Sequence, residues 1–438
     1  MRVLLCHNFY RQPGGEDQVF ADEGDLLESQ GHEVIRFTRQ NDDIESMRKW
    51  KAAGATLWNR ETYAAACDLI RRRRPDVMHC HNTFPLLSPS IYAAAGAYGV
   101  PVVQTLHNYR LLCPAALFLR DGRVCEDCMG KLLAWPAVVH ACYRENRAAT
   151  AVVAGMLAFH RLRGTWLHRV DQFIALSEFS RRKFIEGGLP AEGIVVKSNF
   201  MRNDPLPGRG AGGYAIFVGR LAPEKGISSL LDAWQKHGAA LPLKIVGDGP
   251  LLEQVRAAAA ADSRIECLGR RPNAEILDLI GDAVCLVLPS VCYESCPKTL
   301  IEAFAKGTPV IAAAAGAMAE MVADGRTGFH FRPGDSQDLA NKVAALLAEP
   351  AGLPAMRNAA RCEFEAKYRP AENALRLTAI YRRSIERSAN KRGQSPFAGT
   401  ARRVLRTNGD CPLLFARAMA DSRSLDRKRA ARRGEVLP

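Results

Sequence analysis

Short apolar runs rich in β-branched residues alternate with stretches of helical periodicity along most of the chain. The pattern predicts strands over Met1–Asn8, His32–Phe37, Asp76–Cys80, Val102–Leu106, Asp171–Leu176 and Ile194–Lys197. Between them it predicts helices over Gln18–Gln30, Glu61–Arg74, Pro89–Ala97, Glu178–Glu186 and a long stretch, Glu145–His168. A Pro- and Gly-rich segment, Asp204–Gly213, then breaks the pattern and reads as a linker. A second series follows, with strands at Tyr214–Val218, Leu243–Val246, Ile265–Leu268 and Val284–Leu288. Its helices fall at Ile227–Lys236, Leu251–Ala261, Ala274–Ile280, Lys298–Lys306 and Asp335–Leu347. Alternation of this kind implies parallel sheets covered by helices, so the fold class is α/β, with two doubly wound, Rossmann-like domains over 1–200 and 201–370 facing across a cleft.

Ligands of such sheets bind beyond the carboxyl ends of the strands, and that is where the candidate chemistry falls. Gly14 and Gly15 follow the first strand; a glycine pair admits close approach of a ligand to the backbone, or is a plain tight turn. His79, His81 and His107 stand at strand ends, and His81 with Asn82 either lines an acceptor site or caps the next helix. After Tyr214–Val218 come Gly219, Arg220 and Lys225: two cations on one short loop can neutralise a pyrophosphate, or form a solvated basic loop. Gly247 opens a Gly-Asp-Gly-Pro turn after the next strand. The stretch Pro289–Ile311 places Glu294 on a loop and Glu302 one turn into a helix, whose first amides, at Lys298, Thr299 and Leu300, are free to hold an anion. A phosphate at those amides, between two carboxylates that accept from hydroxyls, suits a sugar nucleotide.

Glu294-x7-Glu302, followed by Ala-Phe-Ala-Lys-Gly-Thr-Pro-Val-Ile-Ala, resembles the signature of glycosyltransferase family 4, the retaining, nucleotide-sugar-dependent enzymes of GT-B fold. Gly219-Arg-Leu-x-x-Glu-Lys225-Gly is similar to a second motif of that family and Gly247-Asp-Gly-Pro to a third. The resemblance covers residues 1–387. It implies that Glu294 contacts the donor sugar, that Glu302 holds the ribose hydroxyls, and that Arg220 and Lys225 act on the leaving diphosphate. It also implies that Gly14 and Gly15 face the cleft near the donor phosphates and that His107 touches the donor sugar. Ala314-Ala-Gly-Ala317 and Glu320 stand where the family has Gly-Gly-x-x-Glu. The helix over Ala371–Arg387 would cross back onto the first domain. The implied activity is transfer of a sugar, with retained configuration and without a metal or other cofactor, from a UDP- or GDP-sugar to a glycan or lipid-linked acceptor of cell-envelope or exopolysaccharide assembly. A sugar-nucleotide-binding scaffold without turnover is the alternative.

Composition narrows this further. With 438 residues, 47% hydrophobic and 24% charged, the chain is long enough for two cores and typical of a globular protein. The absence of Gly-x-Gly-x-x-Gly after the first strand excludes a nicotinamide-dependent dehydrogenase. No apolar run reaches the roughly 18 residues that cross a bilayer, and the start lacks a cleavable-signal pattern, so a cytoplasmic protein, peripheral on the inner membrane face where it meets lipid, is expected. Thirteen cysteines, an odd number, argue for reduced thiols. Four of them, Cys113, Cys125, Cys128 and Cys142, gather in an irregular insert over 108–146; free thiols are the first reading and a structural zinc site the second.

The net charge of +14 invites an anionic partner, a sugar nucleotide or a membrane surface. The helical stretch Glu145–His168, flanked by bases, reads as a core helix first and a membrane-surface helix second. Past Ser388, twelve Lys or Arg stand against four acids in a segment expected to be a disordered tail, with acidic lipid as its second reading. Nucleic acid is not an expected partner, because the segment around Phe415 offers no aromatic platform on which bases could stack. The sequence carries no signal for oligomeric state.

Overall fold

The chain is described by a computed structural model over residues 1–11 and 14–393. In the first half the order is β1 (Arg2–Phe9), α1 (Gly15–Ser29), β2 (Glu33–Gln40), α2 (Lys49–Leu57), α3 (Arg60–Arg73), β3 (Val77–Asn82), α4 (Ser90–Ala97) and β4 (Val102–Leu106). The insert contributes β5 (Leu119–Arg120), β6 (Arg123–Val124) and α5 (Trp135–Val139). Then come α6 (Arg147–Leu162), α7 (Thr165–Arg169), β7 (Gln172–Ala175), α8 (Glu178–Glu186) and β8 (Ile194–Val196). All pairings in the first large sheet are parallel, in the order β2-β1-β3-β4-β7-β8. Side chains alternate across it, as the two-residue period of a strand requires. Leu4, Cys6, Met78 and Cys80 face a core shared with α3, α4 and α6. Val3, Leu5, Val77, Val103 and Ile174 face the other way, onto Phe20 and Leu27 of α1.

The second half runs β9 (Ala215–Val218), α9 (Ile227–Gln235), β10 (Leu243–Val246), α10 (Leu252–Ala261), β11 (Ile265–Gly269), α11 (Asn273–Asp282) and β12 (Cys285–Leu288). It continues with α12 (Lys298–Ala305), β13 (Val310–Ala313), α13 (Met318–Met321), β14 (Gly328–Phe331), α14 (Ser336–Ala348), α15 (Leu353–Lys367) and α16 (Pro370–Gly393). Its sheet is again wholly parallel, in the order β11-β10-β9-β12-β13-β14. Strand order reverses between β9 and β12, which opens a crevice beyond their carboxyl ends. β12 and β13 are buried along their whole length because helices cover both faces, which is why they read as unbroken apolar runs. The expected pair of doubly wound domains is therefore present. The α16 residues Leu377, Ile380 and Tyr381 pack on the first sheet, against Val3 and Leu5.

Several expectations change. The stretch Glu145–His168 is two helices, because Gly164 takes φ 58° between α6 and α7, and Glu145 itself has φ 53° and precedes the Asn146 cap of α6. The insert is not wholly irregular: it folds a short antiparallel hairpin, β5 with β6. Ala116, Phe118, Asp121, Ala141 and Arg144 take positive φ there, a conformation that apolar periodicity cannot signal. Helices α2 and α15 escape a reading by period because each buries little: Thr56 in the first, Ala360 and Phe364 in the second. Residues 388–393, expected in the disordered tail, continue α16; the remainder of that segment lies outside the described residues.

Two loops that border the second crevice touch backbone to backbone. Gly247 takes φ 147°, and a Cβ there would stand 1.8 Å from the Gly219 carbonyl oxygen. Gly247→Ala is therefore expected to lower unfolding free energy by about 2 kcal/mol or more, measured by urea denaturation. A variant as stable as the wild type would mean that the two loops separate without penalty.

Candidate functional site

The loop after β9 forms a single 3-10 turn, Pro223–Lys225, and ends at Gly226 with φ 70°. A Cβ at Gly226 would stand 1.9 Å from the Pro289 carbonyl oxygen, so this glycine lets the β9 loop press against the loop after β12. The Val291 N–H donates to the Glu224 carbonyl at 3.0 Å and fastens the two. Their contact brings the Lys225 ammonium to Glu294 Oε1 at 2.6 Å, and the Ser290 hydroxyl donates to the same oxygen at 2.8 Å. Burial alone would push the Glu294 carboxyl up, but the adjacent Lys225 charge and the two hydrogen bonds outweigh it and hold Glu294 below the usual carboxylate range. Burial likewise opposes the Lys225 charge, and Glu294 reverses it, so the Lys225 pKa lies above the ordinary lysine value. The result is a fixed carboxylate and a fixed ammonium where the two strands diverge. Opposite Glu294, Gly316 at φ 60° lets the α13 turn approach, and the Ala317 N–H donates to the Glu294 carbonyl.

Glu302 lies one turn into α12, half-buried. Burial raises its carboxyl pKa, Asp22 adds to the rise, and the nearby Lys298 only partly offsets it. Lys298 itself reaches across to α1 and donates to Asp22 Oδ2 at 2.7 Å. Of the three amides at the start of α12, that of Leu300 already donates to the Pro297 carbonyl at 3.2 Å, and its side chain is buried. Of the expected trio, this leaves the Lys298 and Thr299 amides open to an anion. Arg220 is exposed, with Glu224 the nearest acid at 3.9 Å. Gly14 has extended backbone and Gly15 opens α1; both have open space where a Cβ would stand, so neither is required by the fold itself. Gly219 donates its N–H to the Val246 carbonyl and keeps the β9 and β10 loops in register.

His107 follows β4 and is tied to a buried relay. Its Nε2 lies 3.0 Å from His81 Nδ1, and His81 Nε2 lies 3.4 Å from Glu23 Oε2. Glu23 is gripped on its other oxygen by the Lys197 ammonium at 2.5 Å, which also donates to Asn373 of α16 at 3.1 Å. Burial opposes the charge on Glu23, but Lys197 and the imidazoles outweigh it and keep the carboxyl well below its usual range. Burial pushes both His81 and His107 down, so both are neutral near pH 7. A carboxylate facing His81 Nε2 fixes the proton there, which makes His81 Nδ1 an acceptor and His107 Nε2 the donor to it. The nitrogen left on His107, Nδ1, is then an acceptor.

Glu23, His79 and His81 are the group among the described residues whose ligand atoms lie within 4.8 Å of one another. They are poorly suited to a metal ion. Lys197 holds Glu23, and His79 is engaged on both nitrogens, by the Tyr381 and Thr105 hydroxyls at 2.8 Å each. Cys113, Cys125, Cys128 and Cys142 are free and form no such group among the described residues. The pair His81 and Asn82 is buried and neither lines an open site nor caps α4: Asn82 donates to the Asn8 carbonyl and accepts from the Phe84 N–H.

The two halves meet around these loops. Tyr293, next to Glu294, inserts its ring among Phe179, Phe118 and Tyr109 of the first half, with centroids 4.7, 5.9 and 6.4 Å away. Tyr109 stands two residues after His107, so this aromatic contact brings the end of β4 toward the Glu294 loop. Glu320 accepts from the Glu178 and Phe179 amides at 2.9 and 2.7 Å and so neutralises the start of α8. The structure thus joins Lys225 to Glu294 directly, sets Lys298 and Glu302 on one turn, and leaves Arg220 exposed. Reading by motif missed Ser290, Asp22, Glu23 and Lys197. Only Ser290 had a local signal, a hydroxyl four residues before Glu294; the others act across 174 to 276 positions of chain.

Comparison with known proteins agrees with this architecture. Residues 14–199 match the family model described as glycosyl transferase 4-like domain, and residues 212–349 that described as glycosyl transferases group 1. The chain is 29% identical over 347 residues to 2-deoxystreptamine glucosyltransferase of Streptomyces kanamyceticus, covering 75% of this chain and 83% of that one. It is 30% identical over 294 residues to alpha-maltose-1-phosphate synthase of Mycolicibacterium smegmatis, covering 63% and 70%. Other curated relatives match over 40–66% of this chain and 48–72% of their own length. Among solved structures, HepE of Anabaena in complex with UDP superposes with a TM-score of 0.62 at 20% identity, covering 87% of this chain and 99% of that one. The same protein in complex with UDP-glucose superposes with a TM-score of 0.62 at 19% identity, covering 86% and 98%.

A half-buried carboxyl with a raised pKa costs stability once pH rises through its unfolded value, because the folded form then gives up its proton less readily. Glu302→Gln is therefore expected to raise the melting temperature at pH 7 and to leave it unchanged near pH 4, where the native carboxyl is protonated. Equal melting temperatures of variant and wild type at pH 7 would show that Glu302 is not strained by its surroundings.

Proposed function

We propose that this chain, which belongs to the family-4-type glycosyltransferases, moves a sugar from a UDP-sugar to a glycan or lipid-linked acceptor with retained configuration. The observation that carries the reading is the Lys225–Glu294 pair, 2.6 Å apart at the strand switch of the second sheet. A nucleoside diphosphate entering the crevice competes for Lys225, and Glu294, released from the ammonium, accepts from the hydroxyls of the sugar. Arg220, exposed on the same loop, and the Lys298 and Thr299 amides take the remaining phosphate oxygens. Glu302 accepts from the ribose hydroxyls, and Gly14 and Gly15 leave room for the donor phosphates.

Negative charge grows on the diphosphate as the glycosidic bond breaks. Fixed cations and helix amides aimed at that charge lower the barrier, and with them in place the reaction proceeds without a divalent ion. The Nδ1 lone pair of His107 accepts from a hydroxyl of the donor sugar and helps to hold the reacting carbon in line. A uridine nucleotide is favoured over guanosine by the likeness to HepE, which is solved with UDP and UDP-glucose. The acceptor belongs to cell-envelope or exopolysaccharide assembly in this reading, at the cytoplasmic side of the membrane. No helix among the described residues is long and apolar enough to cross a membrane.

UDP-glucose is expected to raise the melting temperature in a concentration-dependent way and to release UDP, slowly by hydrolysis when no acceptor is present. A shift with GDP-glucose and none with UDP-glucose would reassign the donor; no shift with any nucleotide sugar would end the proposal. Arg220→Ala is expected to lower kcat by about 100-fold with a much smaller change in donor affinity, because its contact strengthens as charge develops. Loss of affinity with kcat intact would make Arg220 a ground-state binding residue instead.

A further inference from the structure

Exposed large apolar side chains gather on one side of the first half of the chain. Trp50 on α2 is 66% exposed, Trp135 and Val139 on α5 are 56% and 51%, and Leu162 at the end of α6 is 71%. Leu132 and Leu133, on the loop that leads into α5, are 50% and 48% exposed. These residues lie close together. α2 and α5 both pack against α6, His160 of α6 bonds the Leu57 carbonyl at the end of α2, and the Arg161 guanidinium bonds the Lys131 and Leu132 carbonyls.

Helix α6 shows why this is not ordinary surface. Its inward face, Thr150, Val153, Ala154, Met156, Leu157 and His160, is buried, as a core helix requires. Its outward face is Ala151, Gly155, Phe159 and Leu162, all exposed. A helix that is apolar on both faces is at home in a core or against lipid, and this one has only one face in the core. Bases stand at its ends and around the patch: Arg144 and Arg147 at its start, Arg163 after it, Lys131 beside Leu132, and Arg48 and Lys49 beside Trp50. Glu145 is the one acid between Lys131 and Arg169.

We propose that the face formed by α2, α5 and the outer side of α6 docks on an anionic membrane. Tryptophans at its edges sit at the level of the lipid headgroups, the leucines and Phe159 enter the acyl boundary, and the arginines and lysines meet the lipid phosphates with their stems along the apolar surface. A protein partner would need its own acidic rim around an apolar centre; an anionic bilayer supplies that combination with no further assumption. Leu377, Ile380 and Tyr381 of α16 pack with Val3 and Leu5 on the opposite side of the sheet from α6, so that helix is no part of this face. The proposal deepens the reading of a lipid-linked acceptor, since docking by this face would hold the first half of the chain at the membrane, where such an acceptor lies. Its test is read in vesicle binding, with UDP release serving only to compare the variants, so the failure of one is distinguishable from the failure of the other.

The full-length protein is sedimented with vesicles of phosphatidylcholine alone or mixed with phosphatidylglycerol. Binding is expected to the mixed vesicles and to fall with added salt. The double variant Trp135→Glu, Leu162→Glu is expected to bind them at least about tenfold more weakly, while UDP release from UDP-glucose stays at the wild-type level. Because both side chains are exposed, folding should survive; circular dichroism checks this, and Arg147→Glu with Arg163→Glu provides a second variant with the same expected loss. Wild-type protein that ignores mixed vesicles overturns the proposal. So does unchanged binding by both variants, which would place the contact in the C-terminal basic segment. A wild-type dimer that both variants convert to monomers would assign the face to a second copy of the chain and overturn it as well.

Discussion

The ion pair between Lys225 and Glu294 is the contact on which the site depends. It exists because two loops from neighbouring, oppositely wound halves of one sheet are pressed together at Gly226, where any side chain would collide with the Pro289 carbonyl. Both groups are largely withdrawn from water, so each charge is held by the other, and Ser290 completes the shell of the carboxylate. Such a pair is weak evidence for stability, since a desolvated pair recovers little more than it costs. In the proposed reading it is a site kept charged and oriented until a ligand with its own phosphates and hydroxyls replaces each partner with a better one.

The halves of the chain are joined by polar ties as much as by apolar packing. Lys298 to Asp22, Glu320 to the start of α8 and Asn199 to the Cys296 carbonyl all cross the boundary close to the crevice. The first two are charge-assisted and fix the approach of the two halves beside the crevice. On the other side of the crevice, the buried series Lys197, Glu23, His81, His107 links the middle of α1 to the end of β4. It determines which nitrogen His107 offers, and its other three members are buried.

The amino-acid sequence disclosed the repeated strand and helix units and the loops that bear Arg220, Lys225, Glu294 and Glu302, because each is a local signal: a β-branched run, a glycine turn, a proline before a helix. It was silent where the determinant is a meeting of distant segments. Asp22 and Glu23 carry no local signal, yet one receives Lys298 and the other Lys197. His81 and Asn82 read either as lining an acceptor site or as capping the next helix, and are instead buried structural groups. The insert misled because several of its non-glycine residues take positive φ, and α6 was ambiguous for a physical reason: it is apolar on its inner and its outer face alike.

The most direct test of the central claim is a crystal structure of the protein with UDP-glucose bound. The diphosphate is expected within hydrogen-bonding distance of Lys225 and Arg220, with Glu294 parted from Lys225 and accepting from a sugar hydroxyl. A complex in which Lys225 and Glu294 remain 2.6 Å apart while the nucleotide lies elsewhere would contradict the account.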